Sequence, residues 1–231
     1  MGFIISDISE AINFEEQIQN MQSSIAGLRK NYSQKALSEN KILPDPVQQF
    51  DQWWQEAVAS AIDEVNAMTL ATSSADGLPS ARIVLLKAFS EEGFVFFTNY
   101  NSYKGKQLSD NPKACLVFFW KELERQVRIT GLVEKVSEQE NDDYFYSRPV
   151  ASQIGACVSP QSQVIENREW LELQYDNSKK EKLVKRPVHW GGYRVKPVEV
   201  EFWQGRPDRL HDRIQYSLEE SGKWKIERLA P

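Results

Sequence analysis

Two arginines and one histidine alternate near the C-terminus, in the stretch Arg209-Leu-His-Asp-Arg213. Residues 198–204 before it alternate apolar and polar side chains, as a half-buried strand does, and turn-forming residues follow. If a second strand begins at Arg209, then Arg209, His211 and Arg213 project from one face, because side chains alternate along a strand. The opposite face would carry Leu210, Asp212, Ile214 and Tyr216. Neighbouring cations repel one another unless an anion lies over them, so this face predicts a ligand site; a solvated edge strand with unconnected charges is the alternative.

Any phosphate group bound by this protein must be held by side chains. The sequence contains neither of the glycine-rich phosphate loops, G-x-x-x-x-G-K-[ST] or G-x-G-x-x-G. Arginine binds phosphate through two parallel hydrogen bonds, whereas lysine supplies a point charge. The candidate cations are those beside predicted strand ends or turns: Arg82, Lys87, Lys104, Arg148 and Arg209.

The stretch Arg82-Ile-Val-Leu-Leu-Lys87 is apolar with a cation at each end. Strict alternation places Arg82 and Lys87 on opposite faces of one strand, because an odd number of positions separates them. A β-bulge or a strong twist would bring them together. The alternative is that both cations extend into solvent from the ends of a buried strand.

Two further stretches combine hydroxyl groups with a cation. Thr98-Asn-Tyr-Asn-Ser-Tyr-Lys104 precedes a predicted helix from Gly105, and a helix N-terminus favours anions; simple capping is the alternative. Tyr144-Phe-Tyr-Ser-Arg-Pro149, together with Ser152, groups hydrogen-bond donors around Arg148. Here the alternative is a helix end with ordinary caps.

Composition excludes several classes of protein. The 231 residues include 33 acidic and 28 basic ones, a formal net charge of −5, which argues against a general nucleic-acid surface. No apolar run is long enough to cross a bilayer and no secretory signal is visible, so we expect a cytoplasmic protein without a membrane partner. A metal site is not expected, because there are two histidines, of which His189 is interpreted as structural, and no Cys-x-x-Cys motif. Cys115 and Cys157 are expected to be buried free thiols.

Periodicity divides the chain into an N-terminal arm and one β-rich domain. Residues 1–44 predict an arm or helix, and residues 47–62 repeat apolar side chains at helical spacing. Short strand-like runs separated by turn residues follow at 68–72, 82–89, 94–98, 114–120 and 126–136. Helical patterning returns at 137–147 and 163–177, and strands at 193–204, 209–217 and 223–229 complete the chain. We therefore predict an α+β fold, mainly β with helices, in which residues 45–231 form a single domain with an antiparallel sheet that closes toward a barrel.

Several short motifs, each weak alone, follow one another in a consistent order. They are Arg82-Ile-Val-Leu-Leu-Lys87, Phe97-Thr-Asn99, Leu123-Glu-Arg-Gln-Val127, Ser147-Arg-Pro149, Ser152-Gln-Ile-Gly-Ala156, Trp190-Gly-Gly192, Glu201-Phe-Trp-Gln-Gly205, Arg209-Leu-His-Asp-Arg213 and Trp224-Lys-Ile-Glu-Arg-Leu-Ala-Pro231. From Leu28 to the last residue, the chain thereby resembles the pyridoxine/pyridoxamine 5′-phosphate oxidase family. The resemblance implies an antiparallel split β-barrel that acts as a homodimer, with FMN bound at the subunit interface.

The resemblance also implies the ligand contacts, carried over position by position. FMN would contact Arg82, Ile83, Val84, Leu85, Leu86, Lys87, Phe97, Thr98, Tyr103, Lys104, Gln126, Gln161, Ser162, Trp203 and Arg213. The substrate phosphate would contact Lys87, Tyr144, Arg148 and Ser152. Arg209 and His211 would face the pyridine ring as the catalytic residues, and Arg29 and Tyr32 of the arm would close over it. Tyr103 departs from the family, which often has a basic residue there, so Lys104 would carry more of the interaction with the FMN phosphate.

The implied reaction is the two-electron oxidation of pyridoxamine or pyridoxine 5′-phosphate at C4′ to the aldehyde, pyridoxal 5′-phosphate; for the amine, an imine forms first and water hydrolyses it, which releases ammonia. FMN takes the hydride, and dioxygen reoxidises FMN to give hydrogen peroxide. Arg209 and His211 would then act electrostatically rather than as a strong general base. Two alternatives stay open. One is a split-barrel flavin reductase, which would lack the cluster of Tyr144, Arg148 and Ser152, and the other is a non-catalytic module that binds FMN or pyridoxal phosphate.

Overall fold

The computed structural model of the chain describes residues 32–33, 35–180 and 184–231. Arg29, a predicted substrate contact, and most of the predicted arm therefore lie outside the described residues. The described part contains nine strands: β1 (Ala67–Ser73), β2 (Pro79–Leu85), β3 (Ala88–Ser90), β4 (Gly93–Asn99), β5 (Lys113–Trp120), β6 (Arg125–Lys135), β7 (Trp190–Gln204), β8 (Asp212–Leu218) and β9 (Trp224–Leu229). It also contains five α-helices: α1 (Pro46–Ala59), α2 (Tyr103–Asp110), α3 (Glu138–Ser147), α4 (Val150–Val158) and α5 (Arg168–Lys179).

The strands form one antiparallel sheet that curls into a split barrel. Its order is β2-β1-β5-β6-β7-β4-β3, with β8 paired to β7 and β9 paired to β8. The long strand β7 branches the sheet, because its residues 190–195 pair with β4 whereas its residues 199–204 pair with β8. The predicted fold class, an antiparallel split β-barrel with added helices, is confirmed.

Helix α1 packs its aromatic face against the sheet. The side chain of Asp45 accepts two hydrogen bonds from the backbone of the first turn, at 2.8 and 3.0 Å, and Pro46 occupies the first helical position. The buried Phe50 ring lies 4.9 Å from the ring of Phe94 and 5.1 Å from that of Phe118, measured between centroids. Aromatic packing therefore connects the helix to β4 and β5, and β4 contributes side chains to the site described below.

The predicted strand that begins at Arg82 is two strands, β2 and β3, because the backbone leaves the sheet ladder between them. Leu86 donates its N–H to the carbonyl of Asn66 (2.8 Å), and Lys87 donates its N–H to the carbonyl of Val95 (2.8 Å). This irregularity interrupts the alternation of side chains. Arg82 and Lys87 consequently line the same cavity.

The predicted strand from Arg209 begins only at Asp212. The prediction that Arg209, His211 and Arg213 project from one strand face is therefore wrong. A 3-10 turn precedes β8, and in it Asp208 and Arg209 have φ values of 55° and 62°. This left-handed backbone ends the extended alternation before β8 begins.

Other element boundaries differ less. Leu210 is exposed, whereas Ile214 and Tyr216 are buried, so the predicted apolar face covers only the second part of that stretch. Helix α1 ends three residues before the predicted position 62, and Ala61 has a left-handed φ of 53°. Helix α4 was not predicted; it lies between α3 and α5, which were.

Both cysteines, Cys115 and Cys157, are free, and both are only partly buried. Across the described ranges, no helix has the length and apolar character needed to span a membrane. In the same ranges, no three His, Cys, Asp or Glu side chains converge as metal ligands. The division of the chain at residue 44 stays a prediction.

Candidate ligand-binding site

A cavity of about 570 Å³ lies among β2, β4 and the helices α3 and α4. The described residues that line it are Arg82, Ile83, Val84, Leu85, Lys87, Phe97, Thr98, Lys104, Tyr144, Arg148, Pro149, Ser152, Gln161 and Trp190. Four of these lining residues are cations and none is a carboxylate. Because cations that share a cavity without a countercharge repel one another, the cavity favours an anionic ligand.

Neutral groups orient Arg82. Its Nη1 donates to Thr72 Oγ1 (2.5 Å) and to the carbonyl of Leu70 (3.3 Å), and its Nη2 donates to Ser80 Oγ (2.6 Å). Gln107 Oε1 accepts hydrogen bonds from the hydroxyls of Thr72 (2.6 Å) and Ser80 (2.7 Å), which leaves both hydroxyl oxygens able to accept from Arg82. Burial lowers the pKa of the Arg82 guanidinium. These contacts hold the guanidinium in place without neutralising its charge.

Lys104 lies in the first turn of α2 and shares the cavity with Arg82. Its Nζ donates to Gln161 Oε1 (2.9 Å), Thr98 Oγ1 (3.2 Å) and Ser102 Oγ (3.3 Å). Burial, followed by the charge of Arg82, lowers the pKa of Lys104 to about 8. An ammonium group at a helix N-terminus, next to a guanidinium, is suited to a phosphate.

The other two cations, Lys87 and Arg148, lie against an aromatic stack. The Phe97 ring centroid is 4.0 Å from that of Tyr144 and 5.4 Å from that of Trp190, with nearly parallel planes. The Arg148 guanidinium lies 4.7 Å from the Trp190 centroid, and Lys87 Nζ lies 6.0 Å from the Tyr144 centroid. Arg148 Nη1 is buried and makes no hydrogen bond within the described part of the chain, and burial lowers the pKa of this guanidinium. A buried donor on a cation beside a cavity fits an anionic ligand atom.

Polar contacts to the region around the start of β7 hold α3, which carries Tyr144. Asn141 Oδ1 accepts a hydrogen bond from the N–H of Gly192 (2.7 Å). Arg186 donates to Asp142 Oδ1 (2.6 Å) and to the carbonyl that opens β7 (3.0 Å). Sequence reasoning missed Asn141 and Arg186, because their partners Gly192 and Asp142 lie 51 and 44 positions away in the sequence.

A second group of predicted site residues lies at the C-terminal end of β7. The Trp203 ring centroid is 4.6 Å from that of His211 and 5.8 Å from that of Tyr32, and the last two are 5.9 Å apart. His211 Nδ1 accepts a hydrogen bond from the N–H of Arg206 (3.1 Å). Burial, followed by the charge of Arg209, lowers the pKa of His211, which favours a neutral imidazole at physiological pH. We call this group, with its neighbours on β6 and β8, the turn cluster: Tyr32, Gln126, Trp203, Arg209, His211 and Arg213.

Arg213 has a protein carboxylate as its countercharge. Gln126, Trp203 and Arg213 are paired in register across β6, β7 and β8. Arg213 Nε donates to Glu201 Oε1 (2.7 Å), and its Nη1 donates to the carbonyl of Ala230 (2.8 Å). The expectation that the cations of this strand need a ligand for neutralisation is therefore wrong for Arg213.

The cavity and the turn cluster contain most of the predicted ligand contacts. The predicted contacts that line the cavity are Arg82, Ile83, Val84, Leu85, Lys87, Phe97, Thr98, Lys104, Tyr144, Arg148, Ser152 and Gln161. The Leu86 side chain belongs to the hydrophobic core. Tyr103 and Ser162 are exposed and do not line the cavity, and the backbone of Ser162 is left-handed, with a φ of 68°. Trp190 lines the cavity although it was predicted only as part of a motif.

Cations and flat aromatic surfaces that share one cavity of a split barrel favour phosphate esters of planar ring compounds as ligands. The family described as "Pyridoxamine 5′-phosphate oxidase" matches residues 54–180. The family region described as "Pyridoxine 5′-phosphate oxidase C-terminal dimerisation region" matches residues 190–231. The chain belongs to the pyridoxamine 5′-phosphate oxidase family, and the membership predicted from the motifs is confirmed.

Curated relatives and solved structures agree with this membership. A protein of Nostoc sp. named pyridoxine/pyridoxamine 5′-phosphate oxidase is 56% identical over 214 residues, which are 91% of this chain and 100% of the relative. A protein of Nostoc punctiforme with the same name is 58% identical over the same shares of the two chains. The crystal structure of PhzG from Burkholderia lata, in complex with tetrahydrophenazine-1-carboxylic acid, has a TM-score of 0.80 at 29% identity, covering 86% of this chain and 100% of that one. A pyridoxamine 5′-phosphate oxidase-related, FMN-binding protein of Nostoc punctiforme shares the fold, with a TM-score of 0.68 at 17% identity over 82% of this chain and 100% of that one.

Proposed function

We propose that this chain is an FMN-dependent oxidase that converts pyridoxamine 5′-phosphate or pyridoxine 5′-phosphate to pyridoxal 5′-phosphate. The observation that carries the proposal is a single cavity that contains two pairs of cations, an aromatic stack and, among its described lining residues, no carboxylate. Two planar ring compounds that each bear a phosphate, the cofactor and the substrate, match this set of groups. The names of relatives that are more than half identical over the same length support the same reaction.

Arg82 and Lys104 would hold the phosphate of FMN, and Thr98 and Gln161 would orient the Lys104 ammonium. The fit rests on two cations that have only neutral hydrogen-bond partners within the described residues. When bound, FMN would supply the redox chemistry, as acceptor of a hydride from C4′ of the substrate and donor of two electrons to dioxygen, which would yield hydrogen peroxide. The protein supplies orientation and countercharge.

Arg148, Lys87, Tyr144 and Ser152 would bind the substrate phosphate. Arg148 offers the buried Nη1 donor, while Tyr144 and Ser152 offer hydroxyl groups on adjacent helices. A phosphate held at a fixed position orients the attached ring, so that C4′ reaches the hydride acceptor without a nucleophile or a strong base from the protein. The cluster also argues against a flavin reductase, because a nicotinamide substrate would not require it.

The turn cluster would complete the site from a second copy of the chain. Among the described residues, none of its members lines the cavity of its own chain, and the matched C-terminal region is described as a dimerisation region. We infer a homodimer with FMN at the interface. In this dimer, Gln126, Trp203 and Arg213 contact the cofactor, whereas Arg209 and a neutral His211 face the pyridine ring. The two free thiols support a reducing compartment such as the cytoplasm.

Purified protein tests the proposal directly. We expect a yellow dimer with one FMN per chain that releases hydrogen peroxide when pyridoxamine 5′-phosphate is added in air. Unphosphorylated pyridoxamine is the matched control, because it lacks only the group that Arg148 and Lys87 bind. A colourless monomer that ignores added FMN would refute the proposal. A yellow protein that oxidises a nicotinamide instead would support the reductase, and one that does neither would support a carrier.

A further inference from the structure

Glu124 is a charged residue of the Leu123-Glu-Arg-Gln-Val127 motif, and the predicted ligand contacts give it no role. The residue is only 2% exposed, and its φ of 54° and ψ of 41° place its backbone in the left-handed region at the end of a 3-10 turn. Left-handed backbone costs free energy for a residue other than glycine, and so does a buried carboxylate. Both costs must be offset by what Glu124 binds.

Glu124 anchors two segments that are far apart in the sequence. Its carboxylate Oε2 accepts a hydrogen bond from the backbone N–H of Ser33 (2.9 Å), 91 positions away. Its backbone carbonyl accepts one from the N–H of Gly205 (2.7 Å). Ser33 directly follows Tyr32, and Gly205 begins the turn that carries the two predicted catalytic residues. One residue thus binds the arm next to Tyr32, its first described residue, and binds the first position of that turn.

The two anchored segments meet at Tyr32. A Cβ on Gly205 would lie 2.7–2.9 Å from three atoms of the Tyr32 side chain, so the close packing of the pair requires glycine. Tyr32 also lies edge-on to Trp203, with 5.8 Å between centroids, and 5.9 Å from His211. Arg206, the next residue of the turn, donates its N–H to His211 and thereby sets the orientation of the imidazole. Glu124 therefore binds both of the segments that carry Tyr32 and His211, and these two side chains pack against each other.

We propose that Glu124 is a positioning residue of the substrate site. Its carboxylate places Tyr32 and its carbonyl places the turn from Gly205 to His211, so that both sides of the site have a fixed distance from each other. This inference rests on the proposed function, in which Tyr32 and His211 contact the substrate. Glu124 does not line the cavity and acts only through these two residues.

The test compares variants at both ends of the hydrogen bond in the purified holoenzyme. Glu124→Gly removes the carboxylate while suiting the left-handed backbone, and Glu124→Gln keeps an acceptor oxygen. Ser33→Ala is the matched control, because the hydrogen bond uses the backbone N–H of that residue. Amide hydrogen exchange of residues 32–38 reports on the anchoring, and KM and kcat for pyridoxamine 5′-phosphate report on the site. With FMN content unchanged, we expect Glu124→Gly to accelerate amide exchange and to raise KM roughly 10-fold, whereas kcat should change less. Glu124→Gln should show a smaller increase in KM, and Ser33→Ala should match the wild type.

A double variant separates positioning from general destabilisation. In a Tyr32→Ala background, the KM increase caused by Glu124→Gly should shrink to within about twofold, because the two residues act together. An equal increase in both backgrounds would overturn the inference, and so would exchange that Glu124→Gly leaves unchanged. If Glu124→Gly does not fold, Glu124→Asn replaces it, since asparagine also tolerates left-handed backbone and is too short to reach Ser33. A wild-type protein that forms no peroxide would refute the proposed function, whereas the exchange rates would still decide whether Glu124 anchors the arm.

Discussion

Replacing Arg148 by methionine should separate the contribution of this residue to substrate binding from its contribution to the fold. Methionine keeps an unbranched apolar stem against Trp190 but removes the guanidinium, which lies 4.7 Å from the Trp190 centroid. The lost cation–π contact contributes about 0.5–1 kcal/mol at a partly exposed site, and removing a desolvated charge offsets part of that loss. We therefore expect the free energy of unfolding of the ligand-free protein to change by less than about 1 kcal/mol.

Binding of the phosphorylated substrate should respond far more strongly to Arg148→Met. The structure leaves Arg148 Nη1 buried and without a partner in the described residues, so its hydrogen bond to a phosphate oxygen would be charge-assisted. Such a bond contributes about 1.5–3 kcal/mol, which corresponds to a 10- to 150-fold rise in the KM for pyridoxamine 5′-phosphate. The kcat should change less, because the phosphate contact is the same in the ground state and the transition state. Initial rates of peroxide release give both constants, and the absorbance of the same preparation gives its FMN content.

Two controls make the Arg148 result interpretable. Arg168→Met removes an exposed arginine of α5 that pairs with Glu172 (2.7 Å), and it should leave KM unchanged. Unphosphorylated pyridoxamine should be an equally poor substrate for the wild type and for Arg148→Met. An unchanged KM for the phosphorylated substrate, together with loss of FMN, would refute the assignment and move Arg148 to the cofactor end of the cavity.

Four further perturbations test other parts of the site and fold. Because the pKa of Lys104 is lowered to about 8, its ammonium form attracts the FMN phosphate below that pH and is lost above it. The Kd of the apoprotein for FMN, measured by flavin fluorescence, should therefore rise above pH 8. Lys104→Met should abolish that pH dependence. Gln107→Glu brings a carboxylate next to Arg82 and should weaken FMN binding by about 10-fold or more; an unchanged Kd would exclude Arg82 from the phosphate site. Arg213→Ala should lower the FMN retained through gel filtration, and full retention would remove Arg213 from the cofactor site. Phe50→Ala should reduce the free energy of unfolding by about 3–5 kcal/mol in urea titrations, and a loss below about 1 kcal/mol would contradict its central place in the core.

Local periodicity predicted most elements of the fold but not the points where strands break. The apolar run from Arg82 to Lys87 reads as one strand, because every residue in it suits a sheet. The break depends on Asn66 and Val95, whose carbonyls accept the hydrogen bonds of Leu86 and Lys87. Asn66 lies 20 positions from Leu86 and Val95 lies 8 positions from Lys87, so the run from Arg82 to Lys87 contains neither partner. The left-handed residues that delay β8 were equally invisible, because neither is the glycine or asparagine that marks such a backbone in a sequence.

In the candidate site, the sequence likewise predicted some residues and not others. The groups that would touch ligands could be predicted, because cations and hydroxyls concentrate in recognisable motifs. The residues that orient them could not. Gln107, Asn141 and Glu124 are buried polar residues whose partners lie 25 or more positions away in the sequence. A buried amide or carboxylate has the same letter as an exposed one, so only the fold distinguishes them.

Repulsion between cations predicts a ligand only where the sheet offers no carboxylate, and the two arginines on β2 and β8 show the difference. Arg82 pairs across the ladder with Leu70, and its hydrogen bonds go to neutral groups, so its charge is left for a ligand. Arg213 pairs with Trp203, but Glu201, two positions along the same strand, reaches diagonally to it (2.7 Å) and supplies the anion. Once strand register is known, the paired and diagonal positions on the neighbouring strand decide which case applies. By this criterion, Arg82 lies in a site that needs an anion. Arg213 has a different role, because Glu201 already neutralises its guanidinium and holds it rigid, which suits it to orient a ligand rather than to attract one.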